Sequence, residues 1–553
     1  MIAAHLRIIG ADGRPGWRSV AVDGATLWIS GLLIGRTDAA LCAALAAAEA
    51  TEVAGLLAGL DGFFALAFAG PRFGLAAVDH CASIQMLWHE DREGTRVSPA
   101  GRALLAATGP LDIDADQARA AAMSGYTIGA STLYRGVKCL KPGQFVLVDG
   151  AGKASVRRHY RYEPWRVEEQ DDAEALRTCR DITMRIVEKT IAAAGGRQIA
   201  IPLSAGRDSR AIVSGLAELG HKNVVCFAYG LPGNREVGPS RDVARRLGYP
   251  WHYVPQPLAG QRAHFQSDLF RRFLDHAEVL NSVAFVQDLA PLDYLLERGV
   301  LAPDALVVNG QSGDYITGNH IPKALAGPID RTDPASLSAL AMSAMVGKHY
   351  RLWDALVTPE NDKRIAEMLA RQLAEEDLPE PTLATAHAAH ELLELENRQS
   401  KYTIAGQRSY ELMGLSWWMP LWDREYMDYW QPISRRLKAG QNLYARMLEA
   451  EDWGGVWREV PINPPVRMAT PVRLARGLAK LAFAFAPEAS WRAFDRRAFY
   501  YWYGATSSYA RFPYGRVARD RRGARHAVSW HTEAWLGKHG LDFAGLVTTE
   551  DAG

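Results

Sequence analysis

The sequence predicts an α/β protein of two or three domains, on three observations. The first is a run, Gln198-Ile-Ala-Ile-Pro-Leu203, that breaks into the polar turn Ser204 to Asp208 and resumes with helical spacing at Ile212, Val213, Leu216 and Leu219. This is the pattern of a buried parallel strand feeding a helix. The second is another strand-like run, Ala305-Leu-Val-Val308, entering the glycine turn Asn309-Gly-Gln-Ser-Gly-Asp314. The third is the strand-rich patterning of roughly the first 160 residues, which reads as a separate unit. A chain of 553 residues also exceeds what one core usually supports.

In the first unit, Asp38 to Glu49 is an Ala-rich helix, and Leu60 to Gly70 followed by Leu75 to Asp79 reads as a two-stranded hairpin. Leu140-Lys-Pro-Gly-Gln-Phe-Val-Leu-Val-Asp149 is a turn feeding a further strand. Beyond about Pro465 the composition turns basic and aromatic, with Arg492, Arg496, Arg497, Phe499-Tyr-Tyr-Trp-Tyr503, Tyr509, Phe512, Tyr514 and the arginines from Arg516 to Arg525. Such residues can stack on single-stranded nucleic acid, grip a peptide, or pack against the body of the protein; packing is the commonest fate of aromatic clusters.

The formal net charge of +1 leaves no global field to favour nucleic acid. Cys42, Cys81, Cys139, Cys179 and Cys226 lack CxxC spacing, which disfavours a disulfide framework and a zinc ribbon. A reduced, cytoplasmic protein is expected, without a secretory signal. The apolar run Leu478 to Ala486 is too short for a membrane span.

The first turn has the layout of a phosphate-binding loop. The helix that follows presents unpaired N–H groups and a positive dipole end to it. Ala205 and Gly206 let backbone approach a ligand, Ser204 and Ser209 offer hydroxyls, and Asp208 can reach a magnesium ion carried with phosphates. No Lys follows the last glycine, so it is not a Walker loop.

Ser204-Ala-Gly-Arg-Asp-Ser209 resembles the SGGxDS loop of ATP pyrophosphatases, with Ala205 in place of the first Gly. The turn ending in Asp314 resembles the GxGxDE segment of asparagine synthetase, Cys226 to Glu236 its next strand and helix start, and Trp418-Met-Pro-Leu-Trp-Asp423 its PFLD segment. The resemblance implies an adenine nucleotide α hydrolase-like domain over 175–465. Ser204, Ala205, Gly206, Arg207, Asp208, Ser209, Gly310, Gln311 and Gly313 would line the ATP site, and Asp208 and Asp314 would hold magnesium. The order of elements up to about residue 165, including a segment like LxGxFAF at Leu60 to Phe68, resembles the glutamine amidotransferase domain of the same family, an αββα sandwich of the N-terminal-nucleophile hydrolase type. In glutamine-dependent members the second residue is a nucleophilic Cys; here it is Ile2. A degenerate first domain that makes no ammonia is therefore expected, with an amine of the substrate as the natural nucleophile.

Two branches of the family fit that expectation, lasso peptide cyclases and β-lactam synthetases. The second places a Tyr three residues before the Asp of the second turn, where this chain has Gln311. The favoured reading is a lasso peptide cyclase that adenylates an Asp or Glu side chain and closes it onto the peptide N-terminus. A linear precursor peptide, a leader peptidase and a leader-recognition protein are the partners that this resemblance implies. The amine's base is sought in Glu394 to Tyr402 and Gln407-Arg-Ser-Tyr-Glu411, with Arg408 and Glu411 as candidates against a solvated helix face or a structural ion pair. The family lysine that neutralises pyrophosphate falls near Asn442 or Leu443, so Lys438 is its candidate replacement, against an exposed helix lysine. Arg207 is better placed for phosphates. Rival readings are an amide ligase acting on a small acid with ammonia, a tRNA-modifying ATP pyrophosphatase, and a non-catalytic scaffold.

Overall fold

The computed structural model describes residues 5–546 apart from 287, 331, 467, 504–507 and 544–545. Ile2 and the side chains of Tyr503 and Tyr509 lie outside the described residues.

The first unit is built on two sheets. Six antiparallel strands follow the spatial order 154–158, 144–148, 74–78, 61–69, 25–34 and 17–22, and a smaller sheet orders 6–8, 94–98, 87–91 and 137–139. The expected hairpin is the antiparallel pair Asp61–Ala69 and Gly74–Val78. Alternation along these strands splits their side chains between two cores. Phe64, Leu66, Leu75 and Leu147 pack against the helices Asp38–Ala47 and Val53–Ala58, while Phe63, Ala65, Ala76 and Val146 share a core with Leu6 and Val97 of the smaller sheet. Leu104 of the helix Gly101–Thr108 covers the far side of that sheet, which completes the helix–sheet–sheet–helix order. Gly62 of the LxGxFAF-like segment has φ +133°, and a Cβ there would stand 2.2 Å from the Leu32 carbonyl oxygen. The close approach of strands 25–34 and 61–69 thus demands glycine.

The second unit has a five-stranded parallel sheet in the order Trp251–Pro255, Val224–Gly230, Ile199–Pro202, Leu306–Val308, Ser416–Trp418. Ile199 is in register with both Val224 and Leu306. The chain leaves this strand toward one neighbour and later returns on its other side, which makes the gap beyond Ile199–Pro202 and Leu306–Val308 a topological switch point, the usual ligand crevice of such sheets.

The two units share one core: Phe63 packs edge-on against Trp418 at 4.9 Å between centroids and tilts against Trp417 at 5.6 Å, while His80 Nε2 lies 2.7 Å from the Trp422 carbonyl oxygen. The basic, aromatic C-terminal stretch packs rather than projects. Tyr501, Phe512, Trp530 and Trp535 are buried with Tyr126, Tyr350 and Trp353, and Arg522 lies over the rings of Trp353, Trp530 and Phe543. Within that stretch the helix Thr470–Leu481 buries none of its residues. No helix among the described residues is long and apolar enough to cross a membrane.

Candidate functional site

A polar cavity of about 490 Å³ opens at the switch point. The helix Asp208–Glu218 begins there, directly after the strand Ile199–Pro202 and its turn. Inside the turn, the Ser209 hydroxyl accepts from the Ser204 N–H at 3.1 Å, and Ser204 Oγ accepts from the Gly206 N–H at 3.1 Å. These local bonds fix the turn while its outer face stays open. Arg210, fully buried one helical position on, donates to the carbonyls of Val456, Val460 and Pro461, and the Asn463 N–H donates to the Ala205 carbonyl at 3.0 Å. The segment that brings Asn463 to the cavity wall is thus fastened to the loop.

The second turn presses against the first. A Cβ on Gly310 would lie 2.6 Å from the Ser209 nitrogen, so only glycine allows this approach. The Asp314 N–H donates to Asp208 Oδ2 at 3.0 Å, which brings the two carboxylates together from turns about a hundred residues apart in sequence. Burial and the neighbouring Asp314 push the Asp208 carboxyl well above the usual carboxylate range. Asp314 is held below that range against its burial, by His320 and Asn319. His320 bridges Asp314, at 3.3 Å from its Nε2, to the buried Glu394.

Asp208 Oδ1 is enclosed and has no hydrogen-bond partner among the described residues. An orphaned carboxylate oxygen beside a second acid is the donor set a hard divalent cation requires. Asp208 and Asp314 therefore fit magnesium, which would supply charge neutralisation on phosphate oxygens.

Among the sequence-stated candidates, Ser204, Gly206, Arg207, Asp208, Ser209, Gly310, Gln311 and Asp314 line the cavity. Arg207 is the one Lys or Arg among the described residues that does so, and it makes no ion pair there. Ala205 and Gly313 do not line it. Ala205 is buried, its N–H donating to Glu236 Oε2 at 2.6 Å, and a Cβ on Gly313 would meet Leu421 at 2.2 Å.

Three candidates sit elsewhere. Lys438 is neither exposed nor at the cavity: it is fully buried, with Nζ 2.8 Å from Glu391 Oε2 and 3.2 Å from the Tyr162 hydroxyl. Arg408 and Glu411 form a buried pair at 2.8 Å, where Arg408 donates to the Ser83 carbonyl of the first unit and Glu411 accepts from Trp417 Nε1. The stretch Glu394 to Tyr402 is not a solvated face. Residues 395–403 form a buried π-helix, and Glu394 gathers His349, His320, Lys348 and Arg398 around it. Although burial opposes it, His349 and His320 hold its carboxyl well below the ordinary range. His349, His390 and Glu394 have metal-ligand atoms within 4.8 Å of one another, but two cations already occupy this carboxylate, which marks an ion-pair network.

Sequence reasoning missed Tyr229, Asp288, Asn309, Asn319, Gln441 and Asn463, all on the cavity wall. Tyr229 stands at the C-terminal end of a parallel strand, where ligand-facing residues are expected, so its position carried a signal. Asn309 likewise follows directly on the strand Leu306–Val308, whereas the rest lie in segments without periodicity. Gln441, next to Asn442, occupies the wall near the place of the expected lysine and donates to Thr317 Oγ1 at 2.8 Å.

Residues 187–446 match the asparagine synthase family. Two solved structures are similar to parts of the chain. Glutamine phosphoribosylpyrophosphate amidotransferase from B. subtilis, complexed with ADP and GMP, shares 10% identity over 54% of this chain and 64% of its own, with a TM-score of 0.17. A structure described as the allosteric regulatory enzyme of purine biosynthesis shares 13% identity over 54% of this chain and 57% of its own, also with a TM-score of 0.17. The chain spans less than two thirds of either. No curated protein matches it. The middle of the chain is thus similar to an asparagine synthase domain.

Proposed function

We propose that this chain is an AMP-forming ligase that closes a macrolactam ring in a ribosomally made lasso peptide. The observation that carries the reading is the convergence of Asp208, with its orphaned oxygen, and Asp314 on a helix N-terminus at the sheet's switch point. That arrangement suits a magnesium-bound triphosphate. A peptide Asp or Glu carboxylate oxygen attacks the α-phosphorus, the bond to the β-phosphate oxygen breaks, and pyrophosphate leaves as an acyl-adenylate forms. Arg207 and the first-turn N–H groups of the helix Asp208–Glu218 meet the charge that develops on the departing phosphates. The N-terminal amine then attacks the acyl carbon and AMP departs. Holding both ends of one peptide makes that step unimolecular, worth about 7–11 kcal/mol in favourable cases.

Two features support an amine from the substrate rather than ammonia from glutamine, and a peptide rather than a small acid. All five cysteines of the chain are buried, and burial raises the thiols of Cys42, Cys81, Cys179 and Cys226, the opposite of what a thiolate nucleophile needs. Four further side-chain amides, those of Gln311, Asn319, Gln441 and Asn463, line the cavity; an amide carries both donor and acceptor groups, as peptide backbone requires.

The test is a mass-resolved reaction of the protein with ATP, magnesium and the linear core peptide encoded beside its gene, with its processing partners present. Loss of one water from the peptide together with AMP formation is the expected result. An unchanged peptide, with AMP formed instead from ammonia and a small acid, would move the reading to a small-molecule amide ligase.

A further inference from the structure

Ring closure requires a base for the amine, and Gln311 on the cavity wall cannot accept a proton usefully. Across the same cavity wall stand Asp288 and Tyr229. Asp288 Oδ1 accepts the hydroxyl of Tyr229 and Oδ2 that of Tyr410. The Tyr410 oxygen accepts from Asn309 Nδ2 at 3.0 Å, Asn309 also donates to Gln407 Oε1 at 3.0 Å, and Gln407 donates to Gln311 Oε1 at 3.0 Å. A continuous chain of hydrogen bonds thus joins the carboxylate to Gln311 and fixes its orientation.

Two facts make this carboxylate more than a structural acceptor. Among the described residues no Lys, Arg or His pairs with it. A half-buried acid that faces a polar cavity without a cation is an open site for one. Each of its oxygens already holds one hydroxyl, which leaves lone pairs for an N–H donor but makes it a poor cage for a bare metal ion; Asp208 and Asp314 fill that role. Burial, moreover, raises the Asp288 carboxyl above its ordinary range against the pull of the two hydroxyls, and so strengthens it as a base.

We propose that Asp288, held by Tyr229 and Tyr410, binds the substrate's ammonium group and takes its proton before the attack on the acyl-adenylate. This rests on the ligase reading above. The ammonium gives one proton to Asp288, and the amine lone pair forms the C–N bond. The second proton, from the nitrogen of the tetrahedral adduct, leaves with the AMP phosphate as the C–O bond to phosphorus-bound oxygen breaks. Asp288 returns its proton to water in the polar cavity that it lines.

The half-reactions separate the possibilities. In the full-length protein carrying Asp288→Asn, peptide-dependent exchange of pyrophosphate into ATP persists. Hydroxylamine, an amine already neutral at neutral pH, still captures the acyl group as a hydroxamate, while ring closure of the core peptide falls by about 10²–10⁴-fold, the usual share of a general base. Ring closure at the wild-type rate overturns the proposal. Loss of exchange and hydroxamate along with ring closure also overturns it, and assigns Asp288 to nucleotide binding. Should Asp288→Asn fail to fold, Tyr229→Phe removes only one hydroxyl and must show the same split between exchange and closure. If wild-type protein shows no peptide-dependent exchange, the ligase reading itself has failed, and the role of Asp288 falls with it.

Discussion

Substituting Lys438 with Met separates a structural lysine from a catalytic one. The ammonium is fully buried and lies 2.8 Å from Glu391, which is itself almost fully buried. Glu391 Oε1 has no hydrogen-bond partner among the described residues, and Tyr162 donates to Oε2 at 3.3 Å. Removing the lysine therefore strands a carboxylate with one neutral hydrogen bond for company. Breaking a buried pair in this way costs about 3–5 kcal/mol. Urea titration followed by tryptophan fluorescence reads the loss as a lower midpoint at unchanged slope. Peptide-dependent AMP release per folded molecule, measured well below the midpoint, stays at the wild-type level. Adding Glu391→Gln keeps the bond to Tyr162, removes the stranded charge and restores most of the stability. An unchanged midpoint together with a fall in AMP release of about 10²–10³-fold, the signature of lost transition-state electrostatics, would refute this reasoning.

Magnesium and ATP at about a hundredfold above their dissociation constant should stabilise the wild type by about 2.7 kcal/mol; Asp208→Asn and Asp314→Asn should abolish that increment in thermal melts, as well as AMP release. Gly310→Ala should fold yet lose ATP affinity, measured by calorimetry, because its Cβ would stand 2.6 Å from the Ser209 nitrogen and force the two turns apart. Lys401 is buried against Thr127, with Nζ 2.8 Å from its carbonyl, and burial lowers its pKa from 10.5 to about 8. Between those values the unfolded chain holds a proton that the folded one does not, so stability from this group rises with pH. The stability of wild type relative to Lys401→Met should climb from about pH 8 to 10.5, and a flat difference across urea titrations in that window would count against it.

Both strand-to-helix turns at the cavity were legible because strand, small-residue turn and helix are contiguous in sequence, and each acid sits at a fixed place in its own turn. The hairpin of the first unit was legible for the same reason: its alternation is local. The remainder of the cavity wall was not, because Asp288, Gln441 and Asn463 come from irregular segments that meet only through the fold, and nothing in their spacing shows a face. Arg210, which ties one of those segments to the loop, looks in sequence like any helix arginine. Lys438 misled for a related reason. Its helix, Arg435–Lys438, is only four residues long, too short for periodicity to reveal which side is inward, and its partner lies 47 positions earlier. The charged run from Glu394 to Lys401 reads as a solvated face by composition, yet each charge finds an opposite partner or a carbonyl from another element, which is how charges become buried.

The contact of Phe63 with Trp417 and Trp418 bears on inheritance as well as on stability. A first unit expected from sequence to be a catalytic remnant supplies one wall of the apolar interior on which the edge strand Ser416–Trp418 rests. Deleting it would lay two tryptophans and the neighbouring strand open to water. Recombination between relatives can therefore exchange this unit only together with a surface shaped to those rings, and the two parts of the chain must descend as one piece whatever chemistry either of them has lost.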